Sequence, residues 1–289
     1  MKKSRAFSII ELSIITMMIS IISIQDTSSY KIVRNMRILS AQNVTRSSPV
    51  LSLRGLVGWY ETSLESSISE SEKNHNKPVS IWADNNPHSS FKNNIIQLDK
   101  NNFKPRYIEN SINGLPALRF DGLDDFMRIS SLKISNDTLT IFLVGKRNSY
   151  SHYQGVMSGV NSSTNDDMQN GSLVAFFDKN NFSTIASGQS FSSTTHPGNN
   201  TPYIVSTVFN GKKNVSYING SIGVNVKGSI QFNIDKFFIG ARVTNGKPTN
   251  YFSGDIAEII IYNRTLANDE RKSIEEYLSR KYSIKIDRY

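Results

Sequence analysis

The 289-residue sequence contains no cysteine. No disulfide can brace an exported domain, and neither a thiolate metal site nor a cysteine nucleophile can form. Long runs of one charge are absent too. The formal net charge of +9, taken alone, suggests a nucleic-acid partner. Lys2, Lys3 and Arg5 supply three of those charges at the extreme N-terminus and leave +6 for the rest. No run of five or six basic residues occurs elsewhere, so the charge reads as a solvated surface and no nucleic-acid site is expected. The four histidines, His75, His88, His152 and His196, lack ligand spacing and lie in polar segments, which argues against zinc. What remains is ordinary globular usage, 38% hydrophobic and 20% charged, in a chain long enough for two small domains or one large all-β domain.

One long apolar run is present, FSIIELSIITMMISIISI from Phe7 to Ile24. Eighteen residues is the lower limit for a helix that crosses a bilayer, and the basic residues before the run orient it with the rest of the chain outside. An ordinary signal peptide is the alternative, but no A-x-A-like cleavage site follows, and the acidic Glu11 stands four residues into the run. An acid there is costly in hydrocarbon and marks a functional position. Past Ile24 the spacing stays helical, with Ile32, Met36 and Leu39 at i, i+4, i+7 and Val33 beside them. One long helix from Phe7 to about Thr45 is expected, ending at Ser47-Ser48-Pro49.

The basic leader, the small Ala6, Phe7 and the S-I-I-E-L that follows resemble the prepilin motif of type IV pilins and pseudopilins. The family usually has glycine where Ala6 stands. The resemblance implies cleavage by a prepilin peptidase between Ala6 and Phe7, methylation of the new amine, and an assembly role for Phe7 and Glu11. Glu11 of one subunit would neutralise the Phe7 amine of another, so the pair is tolerated only when helices pack together. It implies other pilin subunits as partners and a single-pass inner-membrane protein with its C-terminal domain periplasmic, on a pilus or secretion pseudopilus.

From about residue 53 the pattern changes to short β-rich runs: 138–147, 203–209, 237–243 and 255–263. Asn210-Gly211 and Asn219-Gly220 separate such runs as hairpin turns do. Strands at this spacing without helices between them predict a large antiparallel β-sandwich. The segments 148–172 and 186–201, rich in Ser, Asn and Gly, read as surface loops. One closing helix is predicted, with Ile274, Tyr277, Leu278 and Tyr282 as its apolar stripe and acidic and basic residues at its two ends. The expected organisation is therefore a leader (1–6), a pilin helix (7–48) and a β-domain (53–289).

The blocks GLVGWYE (55–61), VSIWADNNP (79–87), INGLPALRFDGLDDFM (112–127), TIFLVGK (140–146) and 254–282 resemble, in order, the concanavalin A-like or laminin G-like jelly roll. In that family a hydroxyl residue usually caps the final helix; here Ala267 takes its place, and Asn268 is the expected substitute. The resemblance implies a binding module, often for carbohydrate; some members cleave glycans. Those hydrolases carry an E-x-D-x-E-like strand, because retaining cleavage needs two carboxyls about 5.5 Å apart. No such strand occurs here. Asp255 and Glu258 come nearest, but their odd spacing places them on opposite faces of a regular strand. An enzyme is not expected, and no cofactor is required. Folds of this class often carry calcium, for which Asp84, Asn86 and Asp255 are the candidate oxygen ligands; Asp121, Asp124 and Asp125 read as a strand-ending turn. For a glycan or surface protein, Tyr150, Tyr153, Phe191 and Tyr251 are the candidate contacts, while Trp59 and Trp82 read as core. The function expected is a minor pilin or pseudopilin that displays a jelly-roll binding domain for adhesion. The alternatives are a membrane-tethered periplasmic lectin that never polymerises and a degenerate glycanase.

Overall fold

The computed structural model describes residues 29–150 and 153–287. Helix α1 covers 29–46. Nineteen strands follow among the described residues. The first seven are β1 (Leu56–Glu61), β2 (Ile81–Trp82), β3 (Ile95–Ile96), β4 (Arg106–Ile112), β5 (Leu115–Asp121), β6 (Met127–Ile129) and β7 (Thr138–Arg147). Next come β8 (Gln154–Val160), β9 (Leu173–Asp178), β10 (Asn181–Ala186), β11 (Ser190–Thr195), β12 (Pro202–Asn210) and β13 (Asn214–Ile218). The last are β14 (Ser221–Ile222), β15 (Val224–Val226), β16 (Lys236–Ile239), β17 (Arg242–Thr244), β18 (Lys247–Thr249) and β19 (Ser253–Tyr262), before helix α2 (Asn268–Tyr282).

Two antiparallel sheets face each other. One runs β14-β13-β12-β7-β19-β5-β4, with β1 also paired to β19; the other runs β15-β11-β10-β9-β8-β16-β6-β3-β2. Between them lies the main core, with Trp82, Phe120, Phe177, Phe237 and Ile259 all fully buried. A second core covers the outer face of the first sheet, where Trp59, Phe142, Ile260 and Tyr262 meet α2 through Ile274, Tyr277, Leu278 and Tyr282. Helix α1 joins it through Ala41, with Ile38 and Val44 partly buried. The predicted β-sandwich and the predicted stripe on α2 are therefore both present, and Trp59 and Trp82 are core residues.

The expectations for the helices change in four ways. The described part of the N-terminal helix is 29–46, much shorter than the expected span from Phe7; the remainder, with Ala6, Phe7 and Glu11, lies outside the described residues. Its apolar stripe also faces away from the domain: Ile32, Val33, Met36 and Leu39 are 56–61% exposed. The expectation of a single-pass membrane protein is corrected as well, because no helix among the described residues is long and apolar enough to cross a membrane. At α2 the N-cap is Ala267 itself, with no side-chain cap; Glu270 reaches back instead, accepting from the Ala267 N–H at 2.8 Å. That is the second half of a capping box without its first.

Candidate ligand-binding face

The outer face of the first sheet is covered by helices; that of the second carries no helix and opens to solvent over β11, β15 and part of β10, while Val174, Phe176 and Ser183 on the same face are 0–4% exposed. Strand register fixes which side chains share this face, because successive residues alternate. Pairing sets Val226 opposite Phe191, Phe191 opposite Ile185, and Ile185 opposite Val174. This makes one apolar rung across four strands. The next outward rung is Val224, Ser193, Ser183 and Phe176, with Gly155 of β8 beyond it. Ser183 donates to the Ser193 hydroxyl at 3.1 Å. A third rung, Thr195, Asn181 and Asp178, is polar throughout. Neighbouring strands lie about 4.8 Å apart and rungs on one face about 7 Å apart.

Tyr153 borders this face with its ring 5.8 Å from that of Phe176. On the same ring sits the Arg242 guanidinium, at 5.7 Å. Arg242 is held by Asp167 at 2.8 Å, and Asp167 also accepts from the Ser158 hydroxyl and the Val243 N–H, both at 2.8 Å. The β17–β18 hairpin that carries Arg242 crosses tightly over Gly155, where a Cβ would lie 2.2 Å from the Arg242 nitrogen. Glycine is required there by space. Val224 and Val226 stay 71% and 56% exposed at the far edge.

Of the four expected contact residues, the structure brings Tyr153 and Phe191 to this one face. Tyr150 lies at the end of the sandwich, its ring 5.6 Å from the Arg147 guanidinium. Tyr251 packs against a satellite cluster of Phe126, Phe238 and Val243, its hydroxyl donating to the Pro248 carbonyl. Phe176, Ile185, Ser183, Ser193 and Arg242 were not singled out from the sequence. Their signal was hidden because β8 and β11 lie inside the segments read as loops.

The three candidate calcium ligands are not brought together. Asp84 is saturated by backbone donors: Oδ1 accepts from Trp59 and Asn86, and Oδ2 from Asn93, at 3.0–3.1 Å. Asn86 donates to the Leu56 carbonyl and accepts from the His88 N–H. Asp255 belongs to a different network, bound by both Arg119 Nε and Nη2, by Lys146, and by the Ser111 hydroxyl at 2.6 Å. Burial alone would raise its pKa; hydrogen bonds from Arg119 and Ser111 and the Arg119 and Lys146 charges bring it below the usual carboxylate value. Trp59, beside Asp84, pairs with Ile260, about 15 Å along β19 from Asp255. The acidic turn reads as expected: Asp121 Oδ1 accepts from the Leu123, Asp124 and Asp125 N–H groups.

Asp255 and Glu258 are corrected in another respect. A β-bulge between Ile256 and Glu258 breaks the alternation, so that both carboxylates point to the outer face of the first sheet. Glu258 and its cross-strand partner Glu61 each bind Lys281 Nζ at 2.8 Å. Trp59, Tyr277 and Tyr282 also donate to Glu258. Glu61, Glu258 and Lys281 are at most 1% exposed.

No family model and no curated protein matches the sequence. Solved structures do share its fold. A Trypanosoma rangeli sialidase matches with TM-score 0.52 and 16% identity over 79% of this chain and 33% of that one. The same sialidase in complex with 2,3-difluorosialic acid gives 0.53 and 15%, over 89% and 39%. Domain 4 of a GH43 extracellular arabinanase from Geobacillus stearothermophilus, in complex with arabinotriose, gives 0.48 and 13%, over 76% and 97%. The chain thus spans between a third and two-fifths of the sialidases' length. At these identities the likeness to the sialidases shows the β-sandwich fold alone.

Proposed function

We propose that the protein is a glycan-binding β-sandwich whose saccharide surface is the open face of β10, β11 and β15. The observation that carries this is the register: an apolar rung (Val226, Phe191, Ile185) lies beside a hydroxyl rung (Ser193, Ser183) on a face no helix covers. A saccharide has the same division, an apolar C–H face and a rim of hydroxyls, and rings and hydroxyls at this spacing match it. The sialidase structures that share the fold include one in complex with sialic acid, which supports a glycan as ligand class. Binding is favoured over cleavage by the inaccessibility of the paired carboxylates, since Glu61 and Glu258 are 0% and 1% exposed and bound to Lys281. The test is a glycan array with wild type and Phe191→Ala. Wild type should bind a defined set of oligosaccharides and the variant should lose roughly tenfold in affinity, the order of one base-like or ring-like stacking contact. An array without any binding would overturn the proposal.

A second element of the reading concerns assembly. We propose that the N-terminal segment packs against other subunits of a type IV pilin-like fibre. Its support is the exposed apolar stripe of α1, with Tyr30, Ile32, Val33, Met36 and Leu39 at 50–61% exposure, together with the prepilin-like order at Ala6, Phe7 and Glu11. Glu11→Ala should leave the domain folded and sharply reduce the protein in sheared surface fibres. Equal amounts of wild type and variant in those fibres would refute an assembly role.

A further inference from the structure

Arg147, the last residue of β7, is 4% exposed. Its Nε donates to Asn199 Oδ1 and its Nη1 to the Lys179 carbonyl, each at 2.8 Å. Among the described residues neither a carboxylate pairs with it nor an acceptor meets Nη2. Arg271, buried to a similar degree, is held by Glu275, and the partly buried Arg242 by Asp167. A buried cation without an opposite charge costs several kcal/mol unless something compensates it. The groups around Arg147 compensate it only with neutral acceptors and ring faces. The Phe177 and Tyr150 rings lie 5.3 and 5.6 Å from its guanidinium. His196 and Tyr203 stand edge-on to Phe177, at 4.7 and 5.5 Å.

Both of those neighbours are themselves unsatisfied. His196 Nε2 and the Tyr203 hydroxyl have no hydrogen-bond partner, though the residues are 6% and 0% exposed. Gln154, opposite Phe177 in the β8–β9 pairing, is 1% exposed with both amide atoms unpartnered. Burial, and then the Arg147 charge, pulls His196 down to about 4, so it is neutral at physiological pH and adds no competing cation. The charges at the rim are Asp178 and Lys179, at the β9–β10 turn.

We infer that Arg147, under Tyr150 and beside the 197–200 loop and the Lys179 turn, is the subsite for the carboxylate of an acidic saccharide. A guanidinium donates to carboxylate in a fixed planar fork, and such charge-assisted bonds are about twice as strong as neutral ones. The position is at the end of the sandwich, between the sheets and next to the open face, because the Lys179 carbonyl that Arg147 binds follows Asp178, the end of the polar rung formed with Asn181 and Thr195. The inference rests on the glycan reading and adds to it the ligand's charge and the residue that senses it.

The test uses an array of acidic oligosaccharides, trigalacturonate among them, each spotted beside its methyl ester and a neutral counterpart. Wild type should bind at least one acid form about tenfold more tightly than its ester. Arg147→Lys, which keeps the charge and loses the fork, should reduce that ratio toward one in protein that still melts cooperatively. Equal binding of acid and ester forms by wild type overturns the inference, as does a preference that survives in the variant. Binding confined to neutral glycans overturns it and leaves the glycan reading standing, whereas absence of all binding removes both.

Discussion

Asp125 is 4% exposed, and one of its carboxyl oxygens lies within 4.8 Å of one from each of Asp121 and Asp124. Burial first, and the Asp121 charge second, push its pKa to about 7. An acid with a raised folded-state pKa favours folding in its protonated form. Stability is therefore full below the unfolded value near 4, falls as pH rises toward 7, and stays at its lower level above. Asp125→Asn keeps an acceptor for the Asp121 N–H, which Asp125 meets at 3.0 Å, and removes the ionisation. It should stabilise the protein by on the order of 2 kcal/mol at pH 8 and by nearly nothing at pH 4. Urea denaturation at the two pH values checks this, and the same gain at both would show that ionisation is not the cause. At this scale the sequence revealed residue type better than partner. Tyr153 and Phe191 stood out as aromatics in polar segments, but Asp84, satisfied by three backbone N–H groups, was indistinguishable from a ligand-ready carboxylate.

Strands with near-continuous apolar runs, such as β7 and β19, were legible because both of their faces are buried. β11 (SFSSTT) was not. Its inward residues Ser190 and Ser192 meet Asn214 and the Ser216 N–H, so that a polar ladder stands where an apolar one is usual. Segment 186–201 therefore reads as a loop by composition although it pairs along six residues with β10. The bulge in β19 was equally invisible, since nothing in GDIAEIII marks where alternation slips. Its consequence is the docking of α2: the bulge turns Glu258 outward, where with Glu61 it receives Lys281. Burial alone would lower the Lys281 pKa, but Glu258 and Glu61 outweigh it and raise it. Lys281→Met would leave two buried carboxylates without their cation, and breaking such a pair costs about 3–5 kcal/mol. Chemical denaturation should show that loss; a change under 1 kcal/mol would mean the ions are solvated and the helix is held by Tyr277, Leu278 and Tyr282 alone.

The whole molecule is an asymmetric sandwich. Two helices seal the outer face of one sheet, and the other sheet leaves part of its outer face to solvent. That asymmetry leaves β10, β11 and β15 as the face proposed for a ligand, and it arises from β-pairings between residues far apart in sequence. Fold class was readable from hairpin turns and strand spacing; the open face was not, because its rungs join residues from 174 to 226 through register alone. The central claim is tested most directly by amide chemical-shift mapping of the folded protein during titration with an oligosaccharide found on the array. Shifts should concentrate on Ser183, Ile185, Phe191, Ser193 and Tyr153, with the residues around Trp59 and α2 unmoved. Shifts confined to the helix-covered sheet, or spread without a focus, would contradict the account.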